Sequence, residues 1–343
     1  MQSAPTRQFD LFTAPAPQKG GGEPARPKPA ARPRLEAVPQ PAAAPSSDLS
    51  SDLEAMARRI EASGDYRVLR RLRPRPVVAG WSPAARRDGE RIGVILDTET
   101  TGLDAAADEI IELGMVMFTH DEKGIRDVVG VYSELRQPRQ PIRPEITRIT
   151  GITDDMVAGR TIDPEAVAAF VAPADLVIAH NARFDRPFCE AFAPGFADKA
   201  WACSVAEVDW AGLGFEGSKL AYLVGQCGFF HNGHRAVDDC HALLEVLAHG
   251  EAAGNDGFSR LVRSAAARRC RLYAVGSPFE RKDLLKARGY RWNDGSDGRP
   301  KSWWIDVDEE RHDAECAFLA EAVYGRKPGV VEHWLTAKDR YKA

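Results

Sequence analysis

The chain lacks the features that would place it in several common classes. None of its apolar runs approaches the roughly 20 residues that a membrane-spanning helix needs. Its N-terminus has no basic-then-apolar pattern of a secretory signal. These two absences predict a protein without membrane contact, working in the cytoplasm. Six cysteines are present, Cys189, Cys203, Cys227, Cys240, Cys270 and Cys316, and no two of them form a C-x-x-C pair. They read as reduced, mostly buried thiols, not as a disulfide frame or a zinc site. Neither charge is in large excess: 46 Lys and Arg stand against 50 Asp and Glu, a net charge of -4. The molecule as a whole is therefore no generic polyanion binder, and a nucleic-acid site must come from local charge or bound metal. No internal repeat is visible.

What is present is 343 residues, 44% of them hydrophobic, which suits about two domains plus unstructured material. Residues 1–48 are rich in Pro and Ala, with ten prolines from Pro5 to Pro45. Such a segment buries too little apolar surface to offset chain entropy, so it is expected to be disordered. Residues 49–89 read as a helical segment and linker. Leu53, Met56 and Ile60 share one helical face, and Tyr66, Leu69 and Leu72 continue it after Gly64, so one or two helices are expected to pack on the domain that follows. Residues 90–252 alternate strand and helix signals, which predicts a mixed sheet flanked by helices. RIGVILD, EIIELGMVMF, GIRDVVGVYSEL and DLVIAH read as strands, and Ala236–His249 as the clearest helix. Residues 254–265 read as a linker helix. Residues 266–343 read as a small basic and aromatic α+β domain ending in a helix over Glu309–Val323.

The chemistry concentrates in the middle. Asp97 and Glu99 stand two apart at the end of an apolar run. Period-two geometry puts both carboxylates on one face, where they repel unless a divalent cation joins them. Thr98, Thr100, Thr101 and Gly102 complete DTETTG, a loop of hydroxyls and backbone N–H groups suited to a terminal sugar and phosphate. Asp185 opens a helix after the strand DLVIAH, at the edge of a sheet where ligand sites of α/β folds gather. Asn181, in the same turn, is a further candidate for substrate contact, and His180 reads as a structural hydrogen-bonding residue. His234 and Asp239 are five apart across a loop-to-helix junction, the histidine fit to take a proton near neutral pH and the acid to hold a metal. Asp238 competes with Asp239, and His231 and His241 are lesser alternatives to His234.

These blocks, ILDTETTGL, HNARFD and HRAVDD in that order, resemble the DEDD 3′–5′ exonuclease superfamily, and within it the proofreading epsilon subunits of bacterial DNA polymerase III. The resemblance covers residues 91–250. It implies an RNase H-like fold with a mixed five-stranded sheet. It also implies two Mg2+ or Mn2+ ions, with Asp97 bridging both, Glu99 and Asp239 on the nucleophile side and Asp185 on the other. His234 puts the chain in the histidine branch (DEDDh); the tyrosine branch would carry Tyr at Arg235. Pro144–Thr153 also matches the family, with Thr150 where many relatives carry His. The implied activity is metal-dependent release of nucleoside 5′-monophosphates from DNA 3′ ends, single-stranded or frayed, in proofreading or repair. Trimming of RNA 3′ ends is the alternative within the superfamily, and a non-catalytic clamp- or DNA-end-binding adaptor the alternative outside it.

The two ends of the chain carry further signals. Gln8, Phe9, Leu11 and Phe12 in RQFDLF are similar to the bacterial sliding-clamp-binding pentapeptide, with Phe9 in place of its leucine. Between Arg260 and Lys301, twelve Lys and Arg face four Asp and Glu, interleaved with Tyr273, Phe279, Tyr290, Trp292 and, just beyond, Trp303 and Trp304. Cations among aromatics suit a single strand.

Overall fold

The computed structural model describes residues 47–250, 256–326 and 331–342. Gln8, Phe9, Leu11, Phe12 and the rest of the Pro-rich stretch up to residue 46 lie outside the described residues. The chain divides into two compact units, residues 1–62 and 63–343. In the first, α1 (Ser47–Glu61) has the expected spacing, with Leu53, Met56 and Ile60 exposed. The second helix expected over Tyr66–Leu72 does not form. Gly64 takes φ +81°, a left-handed turn that stops a helix. The chain then runs extended through β1 (Arg70–Arg71), with Pro74 and Pro76 just beyond to oppose helix.

The first sheet of the second unit begins as an antiparallel meander of β2 (Arg91–Thr100), β3 (Ile110–Asp121) and β4 (Gly124–Leu135). Three short helices follow, α2 (Pro144–Thr150), α3 (Asp154–Val157) and α4 (Pro164–Val171), each of them after a residue with extended backbone. Asp163 accepts the Glu165 N–H as the N-cap of α4. Then β5 (Leu176–Ala179) lies parallel to β2, α5 (Ala182–Phe192) crosses over, and β6 (Trp201–Cys203) lies parallel to β5. The order is β4-β3-β2-β5-β6, a mixed five-stranded sheet. After α6 (Ser204–Glu207) and α7 (Leu220–Gln226), β7 (Phe229–Phe230) pairs with β1, and α8 (Ala236–Ala248) packs on the sheet.

Alternation along β2 splits the core. Ile92, Val94 and Leu96 face α4 and α5, among Val167 and Phe188. Ile95 faces the other side, with Leu243 and Leu244 of α8. Helix α9 (Gly257–Ala266), expected as a linker, buries Phe258 and Leu261 in that same layer, because its apolar residues, three apart, fall on one face.

The second sheet consists of β8 (Arg269–Ala274), β9 (Arg291–Asn293), β10 (Ser302–Asp308) and β11 (Val331–Leu335), with α10 (Lys282–Ala287) and α11 (His312–Phe318) between them. Its order is β11-β8-β10-β9, antiparallel throughout. Cys270, Leu272, Leu285, Val307 and Leu319 form its core. The segment after β11 then returns to the first sheet. Trp201 N–H donates to the Ala337 carbonyl at 2.9 Å. Arg186, fully buried in α5, donates to the carbonyls of Arg340 (2.6 Å) and Lys338 (2.8 Å) and to Glu190 (2.6 Å). Arg340 pairs with Glu207 at 2.9 Å. No helix among the described residues is long and apolar enough to cross a membrane.

Candidate active site

Strand β2 carries Asp97 and Glu99 to the carboxyl end of the sheet on the face that α8 covers. The first turn of α8 delivers Asp239 to the same place. One carboxylate oxygen from each of the three lies within 4.8 Å of the others. Asp238 points elsewhere, into a pocket with Arg71, Leu72, Pro74, His231, Asn232 and His241. Asp185 reaches the site from α5, on the opposite face of β2. There Thr98, one step out of phase with Asp97 and Glu99, donates to Asp185 Oδ1 from both its hydroxyl (2.9 Å) and its backbone N–H (3.2 Å).

The electrostatics are only partly compensated. Burial, then the charges of Asp185, Asp239, Glu99 and Glu112, push the Asp97 carboxyl well above the usual carboxylate range. Burial, then Asp239, Glu112 and Asp185, push Glu99 up to about 8. Burial raises Asp185 to about 7 against the two Thr98 hydrogen bonds. Four acids that would all be ionised in water thus share one low-dielectric end of a sheet, a cost that a hard divalent cation removes. The donor set is oxygen only, which suits a hard divalent cation over thiophilic metals.

The two histidines of the HRAVDD approach behave differently. His234 is exposed, sits at φ +62°, and donates its backbone N–H to Asp239 Oδ2 at 2.8 Å. His231 Nε2 lies 2.6 Å from Asp239 Oδ1. His241, the other alternative, is buried. His180 bonds Ser204 Oγ at 2.7 Å, as a structural residue does.

The exonuclease family profile matches residues 94–247. The epsilon subunit of DNA polymerase III from Treponema pallidum is 36% identical over 160 residues, 44% of this chain and 72% of that protein. The chain belongs to the DEDD exonuclease superfamily. The PolC-type DNA polymerase III of Thermotoga maritima is 30% identical over 176 residues, 46% of this exonuclease but only 12% of that much longer protein. Among solved structures, exonuclease X in complex with 5′-overhanging duplex DNA is similar over 50% of this chain and 99% of that one, at 25% identity and a TM-score of 0.37.

The hydroxyls of the DTETTG loop of this exonuclease hydrogen-bond within the protein. Thr98 and Thr100 are buried; Thr98 holds Asp185, and Thr100 Oγ1 donates to the Gly102 carbonyl at 2.5 Å. Thr101 Oγ1 donates to Asp108 at 3.1 Å and accepts from Glu109 N–H at 2.9 Å. Gly102 leaves no room for a Cβ beside the Asp108 carboxylate. Asn181 is exposed at φ +109°, in the turn that opens α5.

Sequence reasoning missed Glu112. It is the cross-strand partner of Glu99, fully buried, and bound by Arg235 Nη2 (2.9 Å) and the Ala236 N–H (3.2 Å). It therefore ties β3 to the start of the helix that carries Asp239. Its signal was an acid inside the otherwise apolar run of β3. Gly114, the partner of Asp97, was also missed: a Cβ there would overlap Ala236 and Val237 backbone atoms. Only glycine lets the helix start approach β3 so closely.

Proposed function

We propose that this exonuclease removes nucleoside 5′-monophosphates from the 3′ ends of DNA, in proofreading or repair, by metal-assisted hydrolysis. The observation that carries the reading is the convergence of Asp97, Glu99 and Asp239, with Asp185 held beside them by Thr98. An adaptor that only binds ends has no use for four crowded acids. Two Mg2+ or Mn2+ ions held by Asp97, Glu99, Asp239 and Asp185 would supply an acidified water and charge neutralisation at the leaving oxygen.

The chain's own residues do the rest. His234, exposed beside Asp239, is placed to accept the proton of the attacking water at a ring nitrogen. Thr98 and Glu112 act through their neighbours, the first fixing Asp185 and the second fixing the loop that bears His234. The Thr101 N–H and carbonyl are taken by Glu109 and Arg143, which leaves the Gly102 N–H and Asn181 as the groups of these two turns suited to the terminal nucleotide. The second sheet offers a path for the strand behind it. Trp304 is stacked by Arg271 (4.4 Å) and Arg291 (5.4 Å). Burial and the nearby positive charge of Arg291 hold Arg183, two residues from Asp185, below its ordinary pKa. Guanidinium groups next to a stacked indole, Arg271 among them already paired with Asp306 at 2.7 Å, suit phosphates and bases of a single strand. The Gln8, Phe9, Leu11 and Phe12 segment is proposed to dock on a bacterial sliding clamp, on its motif alone, and the cytoplasm is the proposed compartment.

The test is digestion of matched 3′- and 5′-labelled single-stranded DNA and RNA with Mg2+, Mn2+ or EDTA, with Asp97→Ala as control. Stepwise 3′ shortening of DNA, lost in EDTA and in the variant, is the expected result. Preference for RNA would move the enzyme to 3′ trimming of transcripts. Absence of metal-dependent cleavage of either would overturn the proposal.

A further inference from the structure

A second cluster of ligand-type side chains lies in the C-terminal sheet, away from the nuclease acids. In β8 and β11, Cys270 is paired with Trp334, and Glu332 follows on the same face two residues away, opposite Leu272. That face is the core side of the sheet, where Leu272 and Val307 pack under α11 and Leu319. At one corner, however, the apolar layer gives way to two thiols, an imidazole and a carboxylate. His312 and Cys316 are four apart on α11 and so present one face, one turn apart.

Three of these donors converge, and Cys316 lies beside two of them. Ligand atoms of Cys270, His312 and Glu332 all lie within 4.8 Å of one another. His312 Nε2 is 3.2 Å from Glu332 Oε2, and Cys316 Sγ is 3.6 Å from His312 Nε2 and 4.0 Å from Glu332 Oε1. Donors at zinc bond lengths of about 2.0–2.3 Å in a tetrahedron stand about 3.3–3.8 Å apart. The ring orientation fits as well. His312 Nδ1 bonds Asp313 Oδ1 at 3.0 Å, which turns Nε2 toward Glu332 and Cys316, the arrangement in which a carboxylate fixes a metal-binding imidazole. Trp334 covers the imidazole at 5.1 Å between ring centroids, and Arg268 covers Trp334 at 4.5 Å, while Glu332 closes the corner from the exposed side.

We propose that Cys270, His312 and Glu332, with Cys316 as the fourth donor, bind one thiophilic divalent cation of the zinc class in a structural role. Binding converts both thiols to thiolates and releases their two protons to solvent, so affinity rises with pH. With four protein donors no position is left for water, which makes the site closed and non-catalytic. The cation joins β8, β11 and α11, and so holds in place the strand from which the chain returns to Arg186. This site differs in chemistry from the oxygen-only nuclease cluster and does not depend on the nuclease reading. It also revises the expectation that none of the cysteines belongs to a zinc site, because its ligands are scattered over some sixty residues instead of standing in C-x-x-C pairs.

The full chain, purified under reducing conditions and stripped with chelator, is titrated with Co2+ and followed by absorption. One equivalent is expected to raise a thiolate-to-cobalt charge-transfer band in the near ultraviolet, together with intense visible bands of a tetrahedral ion. Zn2+ should abolish both signals. Cobalt on the nuclease carboxylates gives weak visible bands and no charge transfer, so the two sites separate in one spectrum. The charge-transfer band should weaken in Cys270→Ser and in Cys316→Ser, and vanish in the double variant. Glu332→Gln, at an exposed position, keeps the fold and should weaken Co2+ binding at least tenfold. No charge-transfer band in the wild-type chain, or a band unchanged in Cys270→Ser and Glu332→Gln, would overturn the proposal.

Discussion

Gly114→Ala is the sharpest perturbation of the catalytic geometry that touches no acid. The added methyl would overlap the backbone at Ala236 and Val237 and come within 2.8 Å of the Ala236 carbonyl oxygen. These are backbone atoms, so no side chain can swing aside. Restoring ordinary contact moves the start of α8 away from β3 by roughly 1 Å. Asp239 lies within that first turn, bonded through its N–H to the Arg235 carbonyl, and it moves with the turn. A displacement of about 1 Å at a reacting group costs on the order of 100-fold in rate. The overpacking itself costs about 1–3 kcal/mol. Single-turnover digestion of a 5′-labelled oligonucleotide at saturating Mn2+ should therefore show a fall of about 100-fold in rate, with a melting temperature lowered by several degrees. Gly130→Ala is the control. It lies one strand further out, where a Cβ would meet Phe170 at 3.2 Å and Met117 Cβ at 3.5 Å, and should leave the rate near wild type. A Gly114→Ala enzyme with wild-type rate and stability would refute the argument that this glycine sets the position of Asp239.

Three further outcomes are expected. Glu112→Gln loses the Arg235 ion pair and should reduce activity about 10–100-fold, with a weaker affinity for Mn2+, read by activity against metal concentration. Thr98→Val removes one of two donors from Asp185 while keeping volume; the acid's pKa rises, so the acidic limb of the pH–rate profile should shift to higher pH, and an unmoved limb would refute the role given to Thr98. In EDTA, the folded chain holds protons on Glu99 and Asp185 that the unfolded chain gives up. Thermal stability should therefore fall as pH rises from the ordinary 4.5 of Glu99 through about 8. Saturating Mn2+ should flatten that slope, and a stability that rises over this range in EDTA would count against a buried, only partly compensated acid cluster.

The acids were legible because each ends an apolar run or opens a helical one, and a carboxylate at such a junction has few structural uses. The meander and α8 were legible for a related reason: their apolar periods are long and unmixed. Elements that tertiary contacts impose were not. Strand β6 is three residues long and owes its place to the parallel pairing with β5 and to the chain beyond β11. Strand β11, VEHWL, carries an acid and a histidine on a strand whose outer faces are partly wet. Helical spacing over Tyr66–Leu72 lost to Gly64 and the prolines that follow. Within the site, alternation correctly paired Asp97 with Glu99. The same alternation sends Thr98 and Thr100 to the other face, where they bond Asp185 and the loop. Glu112 escaped notice because it looked like a strand impurity, and only its three-dimensional partners reveal its purpose.

The return of the chain to Arg186 has a consequence for synthesis. The guanidinium next to Asp185 draws two of its acceptors from residues 152 and 154 positions downstream. At about 5–20 residues per second, those carbonyls are made roughly 8–30 s after α5. Until then a cation with unfilled donors cannot be buried without heavy cost, so α5 has no settled seat and the acid beside it no fixed station. The nuclease sheet is thus encoded early but finished late. A ribosome-bound chain arrested before Leu335 should be inactive toward a 3′ end, and release of the full chain should switch the activity on.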